Sequence, residues 1–572
     1  MPEYLAPAVY VEETSFRSKS IEGVSTSTTA FIGPTLKGPT SGTPEIVTSF
    51  GDFERIYGGF GNLNFTGGTS VNYVAHAVKN YFDNGGSRLF VARTFLESGG
   101  NGLAGSVMLG DGTDLDNQIQ LVSRTPGAVG SGSVTISSVE TDVADSALTA
   151  AVLAKATNGT LLLDGTTVYI KSGDSWLDST DTALAAPTGS NASLITLNVL
   201  TRDADGEENN YESLGFSSTH PRYIGDVLSV NPTRRIDQLQ NNFAVDVGDS
   251  VTAYRLYDII SGELGSASSF TTALTGGNDG AEPNGDAYAD PLEAISRIDD
   301  VSIVATPGSS SYSAAVAIQE ALLSHVEARR AYRFAVLDVP ADQTPNQAIA
   351  YKSVIDSSYA GLYHPWVVVE NPLARPDNAG IPKEVALPPS GFVCGIFARN
   401  DNTKGVAKSP ANEVIRGALR FQTDISFGEQ ELLNPRGINC LRFFPGRGNR
   451  LWGARTASSD PEWKYVGVRR YFLYLEHSID RSTQWSVFEN NGPVLWANIR
   501  ESVSSFLYNE WRNNSLLGST PEEAFFVRCD RTTMTQNDLD NGRLICLIGV
   551  AVLKPAEFVV FRIGQKTADS RD

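Results

Sequence analysis

The sequence predicts a multidomain α/β protein of mixed (α+β) sheets with flanking helices, plus a β-rich inserted domain and extended terminal strands. Three observations carry this expectation. Short β-branched runs alternate with helix-period stretches, the pattern of strand–helix–strand units in a sheet with parallel pairs. Between them, residues 101–210 are dominated by Gly, Ser, Thr, Ala and Asp, with Tyr169 and Trp176 as aromatics and neither His nor Cys. At the two ends, Ala8-Val9-Tyr10-Val11 and Phe558-Val559-Val560-Phe561 are strand-favouring runs beside polar stretches.

A chain of 572 residues exceeds one core and divides into several domains. The composition shifts mark an N-terminal arm (1–25), the first part of the main body (26–100), a β-rich insert (101–215), an α/β middle domain (216–420), a C-terminal domain (421–555) and a C-terminal arm (556–572). In the first body segment, residues 49–57 and 71–82 carry helical spacing, and 30–32 and 89–92 read as strands. Residues 222–270 return to alternating patterning and are expected to bridge back into the main body. Further on, residues 301–305, 334–337 and 366–369 read as strands and 312–332 as an amphipathic helix with Ala315, Ile318, Leu322, Leu323 and Val326 inward. Residues 493–513 form the longest expected helix of the last third, with Leu495, Trp496, Ile499, Val503, Phe506 and Leu507 on its apolar face. Residues 544–553 (LICLIGVAVL) read as a buried strand and 557–563 (EFVVFRI) as a terminal strand.

Composition narrows the function. Hydrophobic residues make up 41% and charged residues 19%, as in a soluble globular protein. The net charge of −20 argues against a surface that binds polyanions over the whole molecule. The start, MPEYLAPAVYVEET, lacks the basic and apolar regions of a secretory signal, and the longest apolar run is too short to span a membrane. Cys394, Cys440, Cys529 and Cys546 have no metal-type spacing and read as buried thiols of a reducing compartment, such as a bacterial cytoplasm.

No catalytic, metal-binding or cofactor-binding constellation emerges, so the chain is expected not to be an enzyme and to need no cofactor. His76, His220, His325, His364 and His477 stand far apart, without HExxH-type spacing. There is no Gly-x-Ser-x-Gly elbow, and Gly564-Gln565-Lys566-Thr567 lacks the glycine that a phosphate loop places before lysine. The neighbours Asp299 and Asp300 would point to opposite faces of a strand.

The densest cluster of anchor-type residues is residues 437–471, GINCLRFFPGRGNRLWGARTASSDPEWKYVGVRRY. Arg442, Arg447, Arg450, Arg455, Arg469 and Arg470 interleave with Phe443, Phe444, Trp452, Trp463, Tyr465 and Tyr471. Such residues combine rigid contact area with directional hydrogen bonds, which suits a packed core or an intersubunit interface; a nucleic-acid surface is the lesser alternative. The turn signals Pro445-Gly446 and Ser459-Asp460-Pro461 argue for strands and loops here rather than one long helix.

This stretch, continued through STQWSVFENN (482–491), TPEEAFFVRCD (520–530) and LIGVAVLKPAEFVVFRIGQK (547–566), closely resembles the tail sheath proteins of contractile bacteriophages, bacteriocins and related injection systems. LTGGNDG (274–280), IDDVSIVATPG (298–308) and AFIGPTLKGP near the start extend the resemblance. Its core motif comprises Arg442, Phe444, Pro445, Gly446, Arg447, Gly448, Trp452, Gly453, Arg455, Trp463, Arg469 and Arg470. One departure is AKSPAN (407–412), where the family often carries Trp and Ala.

The resemblance implies a structural subunit that assembles with itself as stacked hexameric rings around an inner tail tube and contracts to drive the tube through the host envelope for genome delivery. Baseplate and tail terminator proteins are further implied partners, with no direct nucleic-acid contact and no membrane insertion. It implies a virion tail assembled in the host bacterial cytoplasm. It also implies an innermost C-terminal domain, an outward-projecting insert, and donation of Ala8–Val11 and Phe558–Phe561 as strands to neighbouring copies, where the residues alone leave pairing within the same domain equally open. Arg500, Glu501, Asn509 and Arg512 are the candidate tube-facing residues of the 493–513 helix, which could equally close its own domain. A sheath of a non-phage device or bacteriocin is the nearest alternative; a polysaccharide-active tail enzyme is a more distant one.

Overall fold

The structure, a computed structural model, describes residues 20–98, 104–110, 115–143, 152–183, 192–378 and 380–562. A nine-stranded sheet organises it, in the order Glu45–Val47, Leu89–Arg93, Thr29–Gly33, Ile303–Ala305, Phe334–Asp338, Ala360–His364, Ile438–Phe444, Gly448–Trp452 and Glu413–Val414. The strands from Leu89–Arg93 to Ile438–Phe444 are parallel, and antiparallel strands close both edges. Parallel strands need cover on both faces, and every residue of TAFIG and FAVLD is buried, the apolar AFIG and FAVL stretches included. Phe31 turns into a core shared with Phe53, Tyr81, Phe392 and Phe397, whereas Ala30 and Ile32 turn into the opposite core with Tyr288, Ile318 and Leu322.

Helices Phe50–Tyr57 and Tyr73–Asp83 cover the first face, capped by the side chains of Ser49 and Asn72. Beside Tyr73–Asp83 on the same face packs Ser390–Lys404, a helix the sequence pattern does not reveal. Its residues 390–398 are all buried, so no polar face marks a helical period. On the second face, the expected 312–332 helix is the shorter Ala315–Glu327. It stops before Arg330 and Tyr332, whose φ of 66° and 50° are incompatible with a continuing helix.

The β-rich insert leaves the sheet after Arg93 and returns ahead of Ile303. Ser133–Asp142 and Ala192–Arg202 form its long central pair. Phe243–Val247 pairs with Ile119–Ser123, and Ser269–Ala273 pairs with Ser133–Asp142. Residues 243–273 therefore complete the insert's sheets instead of bridging to the main body, and a boundary at 215 cuts through them. A buried Lys37–Asp203 ion pair, 3.2 Å, joins insert and body. Asp279 adds to that joint by accepting from the Asn64 and Ala128 amides at 2.7 and 2.8 Å.

The C-terminal unit packs helices Val466–Ser482 and Pro493–Arg512 with the hairpin Phe525–Arg528/Leu547–Val550. Two expectations change here. Residues 437–471 do form strands first, but their last residues open the 17-residue helix Val466–Ser482; the strands Ile438–Phe444 and Gly448–Trp452 belong to the central sheet, so a boundary at 421 also falls inside it. The apolar run at 544–553 holds only the short strand Leu547–Val550, and it is not buried: Leu547 and Ile548 are exposed, with no layer of the described residues over them.

Candidate assembly interface

The arginine-rich motif separates into a sealed half and an open half. In the sealed half, Arg470 pairs with Asp401 at 2.6 and 3.0 Å, both side chains almost wholly buried, and donates to the Thr26 carbonyl. Arg469 lies between the rings of Trp463 (3.4 Å) and Tyr359 (4.4 Å) and donates to Ser358. Gly453 is required by close approach: a Cβ there would stand 2.8 Å from the Cα of Asn439. These residues are core of a single chain. No sequence signal points to Asp401 as the partner of Arg470.

The open half is the end of the hairpin Ile438–Phe444/Gly448–Trp452. Gly446 and Gly448 take the left-handed φ of 74° and 75° that its turn needs, and the Arg447 amide donates back to Phe444. The Phe444 and Trp452 rings meet at 4.5 Å, with the Arg447 guanidinium over both and Arg442 over Phe444. Arg442 also donates to Gln430 and the Ile425 carbonyl, and Arg447 to Asn412. Pro445, Gly446 and Arg447 are exposed.

The C-terminal arm meets this motif at one carboxylate. Glu557 accepts a two-pronged pair from Arg455 at 2.7 and 2.8 Å, then Asn434 Nδ2 at 2.7 Å and the Tyr465 hydroxyl at 3.1 Å. Burial works against ionisation, but the hydrogen bonds from Arg455 and Asn434 outweigh it and hold Glu557 down to about 2. Past this point the chain is unpaired: residues 557–562 form no strand, contrary to the expected terminal strand, and Phe558, Val559, Val560 and Phe561 are 68–83% exposed. The reason is physical, since a strand needs an edge to pair with and none among the described residues pairs with it. Ala8, Val9, Tyr10 and Val11 lie outside the described residues. Their neighbour Ile21 packs with Tyr471, Leu475 and Leu507, and the Val24 amide donates to Ser478, so the first described residues run along helix Val466–Ser482.

A second unfinished apolar edge belongs to the C-terminal hairpin. Phe526, Leu547 and Ile548 are exposed on a sheet of only two strands, a size that rarely stands alone. On helix Pro493–Arg512, Arg500, Glu501, Asn509 and Arg512 are all exposed, and Arg500 also donates to the Cys529 carbonyl at 3.3 Å.

The described residues contain no group of three His, Cys, Asp or Glu that could hold a metal ion, and no helix long and apolar enough to cross a membrane. Asp300 is engaged by Arg88 and Arg481 rather than by Asp299. Burial pushes the buried His76 and His364 and the half-buried His325 down to about 4, which leaves all three neutral at pH 7. Cys394, Cys440 and Cys529 are buried free thiols, with Cys546 half-buried.

Comparison with known proteins places this architecture. The family models for the phage tail sheath protein central domain and the phage tail sheath C-terminal domain match residues 281–457 and 458–566, together half of the chain. The chain belongs to the tail sheath family. A putative prophage major tail sheath protein of Pseudomonas aeruginosa is 26% identical over 267 residues, 46% of this chain and 64% of that protein. The tail sheath protein of Enterobacteria phage T4 is 25% identical over 177 residues, 30% of this chain and 26% of its own length. The matched stretch thus spans less than two thirds of either relative. The same fold recurs along nearly the whole chain in the contracted helical sheath of the anti-feeding prophage (TM-score 0.55, 19% identity, 98% of this chain and 100% of that one). It recurs again in the contracted PVC sheath complex of an extracellular contractile injection system (TM-score 0.54, 18% identity, 99% of each chain).

Proposed function

We propose that this protein is the structural subunit of a contractile tail sheath, on a phage or a phage-like injection particle, and acts by self-assembly rather than catalysis. One observation carries the reading: the described residues of a single chain leave two apolar segments unfinished, the arm Phe558–Phe561 and the hairpin Phe525–Arg528/Leu547–Val550. An extended segment added to an open sheet edge gains main-chain hydrogen bonds along its length. Repeated head to tail, such a contact is heterologous and builds a helical tube. Residues 8–11 would supply the matching contact from the other end. By analogy with the family, copies stack as hexameric rings around an inner tube, join a baseplate and a tail terminator, and store energy in an extended state. Contraction then drives the tube through the host envelope. A gain of about 1 kcal/mol per subunit, repeated along the tube, exceeds one protein's whole folding stability. Nucleotide is then unnecessary. The exposed Arg500, Glu501, Asn509 and Arg512 are the residues of helix Pro493–Arg512 proposed to face the tube.

Negative-stain electron microscopy of the purified protein, with chains lacking residues 1–20 or 557–572, tests the reading. Striated hollow cylinders from the full chain and folded, non-assembling truncated subunits are expected. Normal cylinders from both truncations would overturn strand exchange. A sheath of a non-phage device is separated from a phage sheath by whether neighbouring genes encode capsid and terminase.

A further inference from the structure

The arm and the arginine-rich motif meet at Glu557, and that meeting is built with unusual completeness. Arg455 spends Nε and one terminal nitrogen on the Glu557 carboxylate and the other on the Asn434 carbonyl at 3.1 Å. Its backbone amide is itself fixed by Asn439 Oδ1 at 2.7 Å, within the central sheet strand Ile438–Phe444. Asn434 contributes its side-chain amide as well as its carbonyl, Tyr465 its hydroxyl, and Lys464 a longer contact at 3.6 Å. The arm reaches this point after leaving the C-terminal hairpin, and the next residues, Phe558 to Phe561, are exposed. A stretch that merely ended the chain would gain little from burying a carboxylate under so many donors. A planar guanidinium fork fixes direction as well as distance, which a lysine could not do.

We propose that Glu557 is the fixed root of the C-terminal arm, clamped to the central sheet by Arg455, Asn434 and Tyr465, so that tension from a second copy of this chain holding residues 558–561 enters the nine-stranded sheet. This rests on the reading that the arm pairs with another copy. Without the clamp, the same pull would act on the two-stranded C-terminal hairpin, the least supported sheet nearby. Arg455 and Glu557 are positioning residues, holding the donated segment in register rather than pairing with the neighbour themselves.

The test compares three full-length proteins, namely wild type, Glu557→Gln and Arg455→Lys, with a chain truncated after Glu557. Subunit folding is followed by circular dichroism, tube formation by sedimentation through a urea series, and arm protection in tubes by hydrogen exchange. Loss of a charge-assisted pair predicts on the order of tenfold fewer tubes surviving intermediate urea for both substitutions. Faster exchange in residues 558–561 of the tubes is expected alongside, with the subunit's melting temperature nearly unchanged. Should the truncated chain fail to form tubes while both substituted proteins match wild type in urea resistance and exchange, the clamp is overturned and strand exchange stands. Normal tubes from the truncated chain would remove strand exchange and the clamp with it. A drop in tube survival matched by an equal drop in subunit stability would also count against the clamp, because it would mark Glu557 as an ordinary folding contact.

Discussion

The central sheet and the C-terminal hairpin treat apolar surface in opposite ways. Phe31, Phe334 and Leu362 sit in a sheet covered on both faces and closed at both edges by antiparallel strands. Phe526, Leu547 and Ile548 sit in a two-stranded sheet, and Phe558–Phe561 in no sheet at all. A chain that finishes its own core so thoroughly has the means to cover an edge. On the proposed strand exchange the open edges serve other copies, and substitutions in the two regions should then fail in different ways: subunit folding in the first, tube formation in the second.

The largest effect is expected where charge is sealed inside. Asp401→Ala strands the buried Arg470 guanidinium, and removal of one partner of such a pair costs about 3–5 kcal/mol. Urea unfolding should show a soluble but strongly destabilised subunit. Next comes packing between helices: a Cβ at Gly391 would lie 2.6 Å from the Cα of Ala77, so Gly391→Val should cost about 1–3 kcal/mol by the same assay.

A third effect depends on pH. Burial pushes the Asp338 carboxyl up to about 7, against hydrogen bonds from the Ser390 hydroxyl and amide. The native state therefore holds this proton more tightly than an unfolded chain, in which the carboxyl titrates near 3.9. The contribution is full below about pH 4 and is lost as pH rises through 7. From pH 5 to 7 wild type should lose about 2 kcal/mol more stability than Asp338→Asn, measured by urea unfolding at each pH. The smallest effect on folding belongs to the open region: Phe526→Asp and Ile548→Asp, both at exposed positions, should change subunit stability by about 0.5 kcal/mol or less. Cylinder formation by electron microscopy should nonetheless be lost.

What could be read in the sequence follows the same division. The strands at 30–32, 89–92 and 334–337 and helices Phe50–Tyr57, Tyr73–Asp83 and Pro493–Arg512 announce themselves through apolar runs, helical spacing and caps. Helix Ser390–Lys404 stayed hidden because it is buried all round, and Val466–Ser482 because turn signals and arginines precede it. The motif residues were legible as a cluster, but their partners were not. Asp401 and Glu557 stand 69 and 102 residues from the arginines they bind, a separation that only the fold closes. The 544–553 run was legible as a strand and illegible as an exposed one, since the sequence of one copy does not say whether its cover comes from itself or from another.

Cryo-electron microscopy of the assembled cylinders, at a resolution that traces individual strands, tests the proposed strand exchange most directly. Residues 558–561 should be seen hydrogen-bonded in the sheet of the Phe525–Arg528/Leu547–Val550 hairpin of a different copy, with Glu557 still seated on Arg455 of its own chain. An arm folded onto its own subunit's hairpin, or cylinders whose hairpin edges remain unpaired, would contradict it.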